Sequence, residues 1–281
     1  MRIVHVSDGW GRTNGVANVA RLIADEQVAR GYAVAFRRWA KIGELKAADE
    51  VWIHCGWMPC LWWAALWAKK AVWMPHGSFD PFRLRYHGWK KWLVGPIGRW
   101  ALRRCTSIKA TCVAEVEWVR AYEPQVKAVE ILDVKKYFGV GAGEGVGVGK
   151  GNLHVLYLGR RHPLKGVEYL ERTVREIGDG VELRIVSNAL GEEKEKVWAW
   201  CDVLCLPTLS ENFGLVVAEA LERGKRVVVT DGAPAWNPDG GAETVGRGYG
   251  GRLVYLRGYR DGDERTRVEL LKAGLETCRT V

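Results

Sequence analysis

From Gly139 to Gly151 every second residue is glycine. Such a tract has almost no side chain to bury, and glycine loses more conformational freedom on ordering than any other residue. It reads as a linker over 139–152 and divides the chain into two parts, 1–138 and 153–281. At 281 residues the chain is long enough for each part to build its own core. In both parts short apolar runs alternate with helical patterns. Arg2–Ser7, Ala33–Phe36, Val51–His54, Ala71–Met74 and Ile108–Thr111 read as strands before the linker. Leu153–Leu158, Val181–Val186, Val203–Leu206 and Lys225–Thr230 read as strands after it. Helical spacing follows Gly15, runs from Leu61 to Lys69 and Glu115 to Tyr122, and recurs at Val167–Ile177, Leu215–Arg223 and Arg265–Thr280. Alternation of this kind predicts parallel sheets in an α/β fold.

The chemistry concentrates after the linker. The strand Val203–Leu206 leads through Pro207, Thr208 and Ser210 into the helix from Leu215, which Gly224 closes. A strand–loop–helix unit points free N–H groups and a positive dipole end at a ligand beside the sheet edge. Glu211 and Glu219 bracket that turn, with Asn212, Phe213, Gly214 and Leu215 between them. Carboxylates beside an anion site suit a ligand with hydroxyl groups on both sides of a diphosphate, such as a nucleotide-sugar. The plainer alternative is a capped surface helix. A second loop, Gly159–Gly166, carries Arg160, Arg161 and Lys165. Arginine offers phosphate oxygens a planar fork and lysine a point charge, so these cations suit a departing diphosphate without a metal.

The first part offers weaker signals. Gly9, Gly11 and Gly15 lie between the first strand and first helix, where backbone can approach a phosphate closely. His76 follows the strand Ala71–Met74, placed for hydrogen bonding or proton transfer, or as a plain turn residue. Arg83–Arg104 interleaves seven cations with Tyr86, Trp89, Trp92 and Trp100. The net charge of +9 and 15 tryptophans suggest a polyanionic partner. Arg85, Trp89, Lys90, Lys91 and Trp92 therefore read as a contact with an anionic membrane surface or acceptor. Single-stranded nucleic acid, or a helix with core tryptophans and solvated cations, are the alternatives. Val51–Ala68 lacks formal charge but holds Gly56 and Pro59, which favours a strand and helix over a membrane span. The seven cysteines lack paired zinc spacing and read as reduced thiols of a cytoplasmic protein. The strand start at Met1–Val6 does not read as a signal peptide. Asp261-Gly262-Asp263 reads as a turn rather than a metal site.

Taken together, these pieces resemble the family-4 retaining glycosyltransferases of the GT-B fold. The resemblance rests on the E-x7-E signature from Glu211 to Glu219 and the G-R-x-x-P-x-K-G loop from Gly159 to Gly166. Weaker matches are the first glycine loop, Trp52–Trp57, Pro75-His76-Gly77 and Thr230–Pro234, in the manner of bacterial exopolysaccharide or lipopolysaccharide transferases. The resemblance implies two Rossmann-like domains facing across a cleft and a hexosyltransferase-type enzyme. Its donor would be a UDP- or GDP-sugar, its acceptor a glycan or lipid-linked glycan, and it would need no metal or other cofactor. By the same resemblance His76, Arg160, Lys165 and Glu211 would be catalytic. Gly15, Asn212, Phe213, Gly214, Leu215 and Glu219 would bind the donor, with Glu219 on the ribose. The protein would be cytoplasmic, or peripheral on the inner face of the cell membrane. A transferase acting on modified DNA bases and a non-catalytic glycan-binding subunit are the alternatives. The sequence departs from the pattern at Ile131–Val134, where Pro-Asn-Gly is usual, and after Trp236, where the pattern fades.

Overall fold

The computed structural model describes residues 1–7, 9–10, 15–86, 88–139, 151–187, 189–238, 245–250 and 252–279. Most of the glycine tract expected to be a linker, and most of the first glycine loop, lie outside these residues. The chain divides into two compact units, Met1–Tyr137 and Phe138–Val281.

The first unit runs β1 (Arg2–Val6), α1 (Gly15–Ala29), β2 (Ala33–Arg37), α2 (Ile42–Ala47), β3 (Glu50–His54), α3 (Pro59–Trp67) and β4 (Ala71–Met74). It continues with α4 (Pro81–Arg85), α5 (Gly88–Arg104), β5 (Ser107–Ala110), α6 (Val113–Tyr122) and β6 (Val129–Ile131). Its six strands are parallel, in the order β2-β1-β3-β4-β5-β6. All four residues of β4 are buried, and β3 is buried after its first residue. That is why both strands read as apolar runs rather than alternating ones: helices cover both faces of a parallel sheet. Val4, Val51, Ile53 and Trp73 of the sheet pack with Leu61 and Ala64 of α3 and Ala101 and Leu102 of α5. The uncharged segment Val51–Ala68 is thus β3 and the core helix α3. Among the described residues no helix is long and apolar enough to cross a membrane.

The basic segment is two helices. Asp80 caps α4, its carboxylate accepting the Phe82 N–H at 2.9 Å with Pro81 at the first position. On α5 the inward residues are Gly95, Gly98, Ala101 and Leu102. Small residues on that face let it lie close to α6, where Tyr122 Oη donates to the Gly95 carbonyl at 3.2 Å. The tryptophans therefore point the other way. Trp89 is 69% exposed and Trp92 is 80% exposed.

The second unit runs β7 (Leu153–Leu158), α7 (Val167–Ile177), β8 (Val181–Val186), α8 (Gly191–Trp200), β9 (Val203–Leu206) and α9 (Leu215–Glu222). Then follow β10 (Arg226–Thr230), β11 (Val245–Gly248), β12 (Leu253–Leu256) and α10 (Glu264–Arg279). The strand order is β11-β12-β10-β9-β7-β8, parallel except for the edge strand β11. The terminal helix α10 packs on α7, β10 and β12 of its own unit. Asp263 opens it, accepting the Thr266 N–H at 2.8 Å, so Asp261-Gly262-Asp263 is a turn and helix start. In both units the strand order reverses beside the first strand, between β1 and β3 and between β7 and β9. Loops at the carboxyl ends of such strand pairs are where open α/β sheets bind ligands.

Candidate active site

The loops that leave β7 and β9 meet at the reversal point of the second sheet. After β7 the chain makes a tight 3-10 turn at Pro163–Lys165 and enters α7 through Gly166 at φ 60°. A methyl group on Gly166 would overlap the Pro207 carbonyl oxygen, so the glycine is what lets the two loops touch. One acceptor joins them. The Leu164 carbonyl receives Thr208 Oγ1 at 2.9 Å, the Leu209 N–H at 2.9 Å and the Ser210 N–H at 3.3 Å. On the far side, the Glu211 N–H donates to the Gly232 carbonyl at 2.7 Å, and Thr230 Oγ1 donates to the Thr208 carbonyl at 2.5 Å. The β9 loop is thereby fixed between the loops of β7 and β10.

This docking brings Lys165 and Glu211 together. Lys165 Nζ donates to Glu211 Oε2, with both side chains largely buried. The other carboxylate oxygen, Oε1, accepts the Asn212 N–H at 3.0 Å. Two residues on, the buried Phe213 is pinned by Trp236, whose Nε1 donates to the Phe213 carbonyl. Gly214 then opens α9 at φ 69° and offers no side-chain cap. The first-turn N–H groups at Leu215 and Val216 have no carbonyl partner inside the helix, so the positive end of α9 is presented beside the Lys165–Glu211 pair.

Arg160 and Arg161 part company. The Arg160 side chain is exposed and forms no ion pair among the described residues, while its carbonyl accepts Tyr157 Oη at 2.9 Å. Burial pushes the Tyr157 hydroxyl up, so it stays a neutral donor to that loop. Arg161 turns back to α7 and grips Glu171 through Nη1 and Nη2, at 3.2 and 2.5 Å. Glu219 lies on α9 with Lys194 Nζ of α8 at 2.7 Å, at ion-pair distance but off the hydrogen-bond line. Lys194 was invisible as a partner in the sequence because it sits in a run of charges, Glu192 to Lys196, that suggests only a solvated helix.

The remaining candidates belong to the first unit. Gly15 is the exposed first residue of α1. His76 is 2% exposed and occupies the left-handed region at φ 52° in the turn after β4. Its ring Nε2 lies 2.9 Å from His54 Nδ1, and the Arg83 guanidinium donates to its carbonyl at 3.3 Å. Glu115 of α6 fixes the turn, accepting the Gly77 N–H at 2.5 Å and the Thr111 N–H at 2.7 Å. Of the segment read as a membrane or acceptor contact, Arg85, Trp89, Lys90 and Trp92 are exposed. Lys91 is not: its Nζ donates to the Tyr86 carbonyl at 2.8 Å, and burial lowers its pKa, with Arg83 adding to the effect.

Residues 152–255 match the model of the family described as Glycosyl transferases group 1. They run from β7 into β12, with the docked loops, Lys165, Glu211, α9 and Glu219 inside them. The match covers most of the second unit and none of the first. The chain also has a local match, 34% identical over 67 residues, to the trehalose synthase of Pyrococcus horikoshii. That match spans 23% of this chain and 16% of the relative, a small part of its length. Two solved structures are similar over the whole chain. The sucrose-phosphate synthase of Thermosynechococcus elongatus has a TM-score of 0.67 at 15% identity, covering 100% of this chain and 92% of that one. Anabaena HepE in complex with UDP has a TM-score of 0.61 at 13% identity, covering 100% of this chain and 94% of that one. At such identities the likeness is one of fold, and the fold is GT-B, with a Rossmann-like sheet in each unit. The family match reaches Val254 and Tyr255, past Trp236 where the sequence pattern had faded. In the sequence Gly232 is only part of a weakly matching stretch; in the second unit its carbonyl anchors the Glu211 backbone.

Proposed function

We propose that this chain is a retaining glycosyltransferase that moves a sugar from a UDP- or GDP-sugar to a glycan or lipid-linked glycan. The observation that carries the reading is the Lys165–Glu211 pair held beside the uncapped amino end of α9. In the free protein each charge of this pair is compensated by the other. An arriving diphosphate competes for Lys165 Nζ, helped by Arg160 and the helix dipole, and this releases Glu211 to accept hydroxyl groups of the transferred sugar. Glu219 is assigned to the ribose hydroxyls, and the Phe213–Leu215 backbone to sugar and phosphate. As the glycosidic bond breaks, negative charge grows on the diphosphate, where the two cations stabilise it. The acceptor hydroxyl attacks from the leaving-group side, and a donor phosphate oxygen takes its proton. Arg160 and Lys165 supply the counter-charge, so the step requires no metal ion. His76 is assigned to the donor sugar and Gly15 to the diphosphate.

For the acceptor, α5 supports a site at an anionic membrane face, with the enzyme peripheral on its cytoplasmic side. The exposed Trp89, Trp92, Leu93, Ile97 and Trp100 recur along one helix face, bordered by Lys90 and Arg103. Aromatic rings with adjacent cations suit the headgroup level of such a surface.

The test is a thermal-shift screen across nucleotide-sugars, followed by donor hydrolysis and transfer on each hit. Ligand at about 100 times its dissociation constant should stabilise the fold by roughly 2.7 kcal/mol. The Lys165→Ala variant should melt close to wild type yet lose about 100-fold or more in turnover. Undiminished turnover by Lys165→Ala would remove the diphosphate role.

A further inference from the structure

Three buried histidines cross the carboxyl edge of the first sheet in a single line. His5 lies on β1, His54 ends β3 and His76 follows β4. Gln27 of α1 places Oε1 at 2.8 Å from His5 Nε2, His5 Nδ1 is 2.9 Å from His54 Nε2, and His54 Nδ1 is 2.9 Å from His76 Nε2. The His5 and His54 rings are stacked, with centroids 5.1 Å apart, and the His76 ring is tilted 33° from His54 with centroids 5.2 Å apart. Burial keeps all three neutral. His76 is lowered to about 3 by burial and then by Arg83, and His5 to about 4 by burial against the opposing pulls of Gln27 and Glu50. His54 is lowered by burial and by its two histidine neighbours.

A neutral imidazole has one N–H and one lone pair, and an amide oxygen only accepts. His5 must therefore donate to Gln27 from Nε2, which leaves its Nδ1 as an acceptor. His54 must then donate from Nε2, leaving its own Nδ1 to accept, and His76 must donate from Nε2 in turn. One amide oxygen on α1 thus sets the proton position on a ring three links away. The other end of the chain is clamped by backbone. Glu115 holds the Gly77 N–H, Arg83 holds the His76 carbonyl, and His76 itself sits at φ 52°, a conformation that a non-glycine residue adopts only when its surroundings impose it. Among the described residues nothing hydrogen-bonds His76 Nδ1.

We infer that Gln27, His5 and His54 are positioning residues that hold His76 as the neutral Nε2–H tautomer and present its Nδ1 as an acceptor to a hydroxyl group of the ligand. A packing role alone does not call for them: apolar side chains of similar size would fill the same space without three imidazoles to desolvate. The chain also lies where the strand order reverses, the edge at which such sheets bind ligands. The ligand clause rests on the proposed sugar transfer; the tautomer clause does not.

Histidine-selective 15N labelling of the full chain, read by long-range 1H–15N correlation, reports the tautomer of each ring directly. Wild-type protein without ligand should show His5, His54 and His76 all protonated at Nε2 and bare at Nδ1. A proton on Nδ1 of any of the three overturns the chain. Gln27→Met, which removes the terminal acceptor, should mix the tautomers of His76, and Gln27→Glu, which keeps an acceptor there, should restore the single form. An unchanged His76 spectrum in Gln27→Met also overturns it. Should Gln27→Met not fold, the wild-type spectrum alone decides. UDP-glucose and GDP-mannose titrated in turn should move the His76 Nδ1 resonance, and Gln27→Met should raise the donor KM about fivefold with a smaller change in kcat, as for one lost hydrogen bond. If the tautomers hold but neither donor moves that resonance, the ligand clause fails, whereas the transfer reading stands or falls separately on donor hydrolysis.

Discussion

Gly232 has no room for a methyl group. An added Cβ would fall inside the shell of the Thr208 carbonyl oxygen and against the Leu209 carbonyl carbon, and as backbone these atoms cannot swing away. Gly232→Ala should destabilise the second unit by roughly 1–3 kcal/mol, as overpacking does, and weaken nucleotide binding by displacing the Glu211 anchor. Urea melts together with nucleotide titration check this; a fully stable variant with wild-type affinity would show that the loops tolerate separation. The residue scale also marks the limit of reading spacing alone. Lys165 and Glu211 were each legible as candidates, because charge in a glycine-flanked turn after a strand suggests anion binding. That they meet was not legible: their contact runs through the Leu164 carbonyl, a backbone atom that every sequence has.

At the scale of elements, α5 is the most exposed apolar helix face of the first unit. Its inner side is built from Gly95, Gly98, Ala101 and Leu102, so the helix can dock without its tryptophans. Replacing Trp89 and Trp92 by Ser should leave the melting temperature nearly unchanged and markedly reduce binding to anionic vesicles in a sedimentation assay. Unaltered vesicle binding would shift the contact elsewhere. Strands β7, β8 and β9 and helix α7 have the bounds the sequence suggested, since each is a clean apolar or amphipathic run between turns. The elements it missed have a common cause. Helix α8 hides behind Glu192, Glu193, Lys194, Glu195 and Lys196, with the buried Trp198 as its apolar anchor. Strand β6 has three residues, partly exposed, and β12 is a four-residue run among glycines and arginines. Short elements recruited by a neighbouring strand carry too little pattern of their own.

Over the whole molecule, the neutral histidines tie stability to pH. Unfolded imidazoles take up a proton near pH 6.5, whereas folded His5 and His76 stay neutral down to about 4 and about 3. Below pH 6.5 the unfolded chain therefore binds more protons, and stability falls with pH. Each ring removes up to about 1.4 kcal/mol per pH unit once the pH is well below 6.5, which comes to about 3 kcal/mol for the two between pH 6.5 and 5. Urea midpoints measured across that window should decline, and a flat profile would mean the rings are charged or hydrated. The sequence by itself determined that the chain is α/β with parallel sheets and where its charged, glycine-flanked turns lie, because strand and helix periods, glycine punctuation and charged turns are local properties. Only the tertiary structure decided which side chains meet. Lys165 reaches Glu211, Lys194 reaches Glu219, and Gln27 reaches His76 through two other rings. Those pairings follow from strand order and crossover, which bring the ends of distant strands to one edge of a sheet.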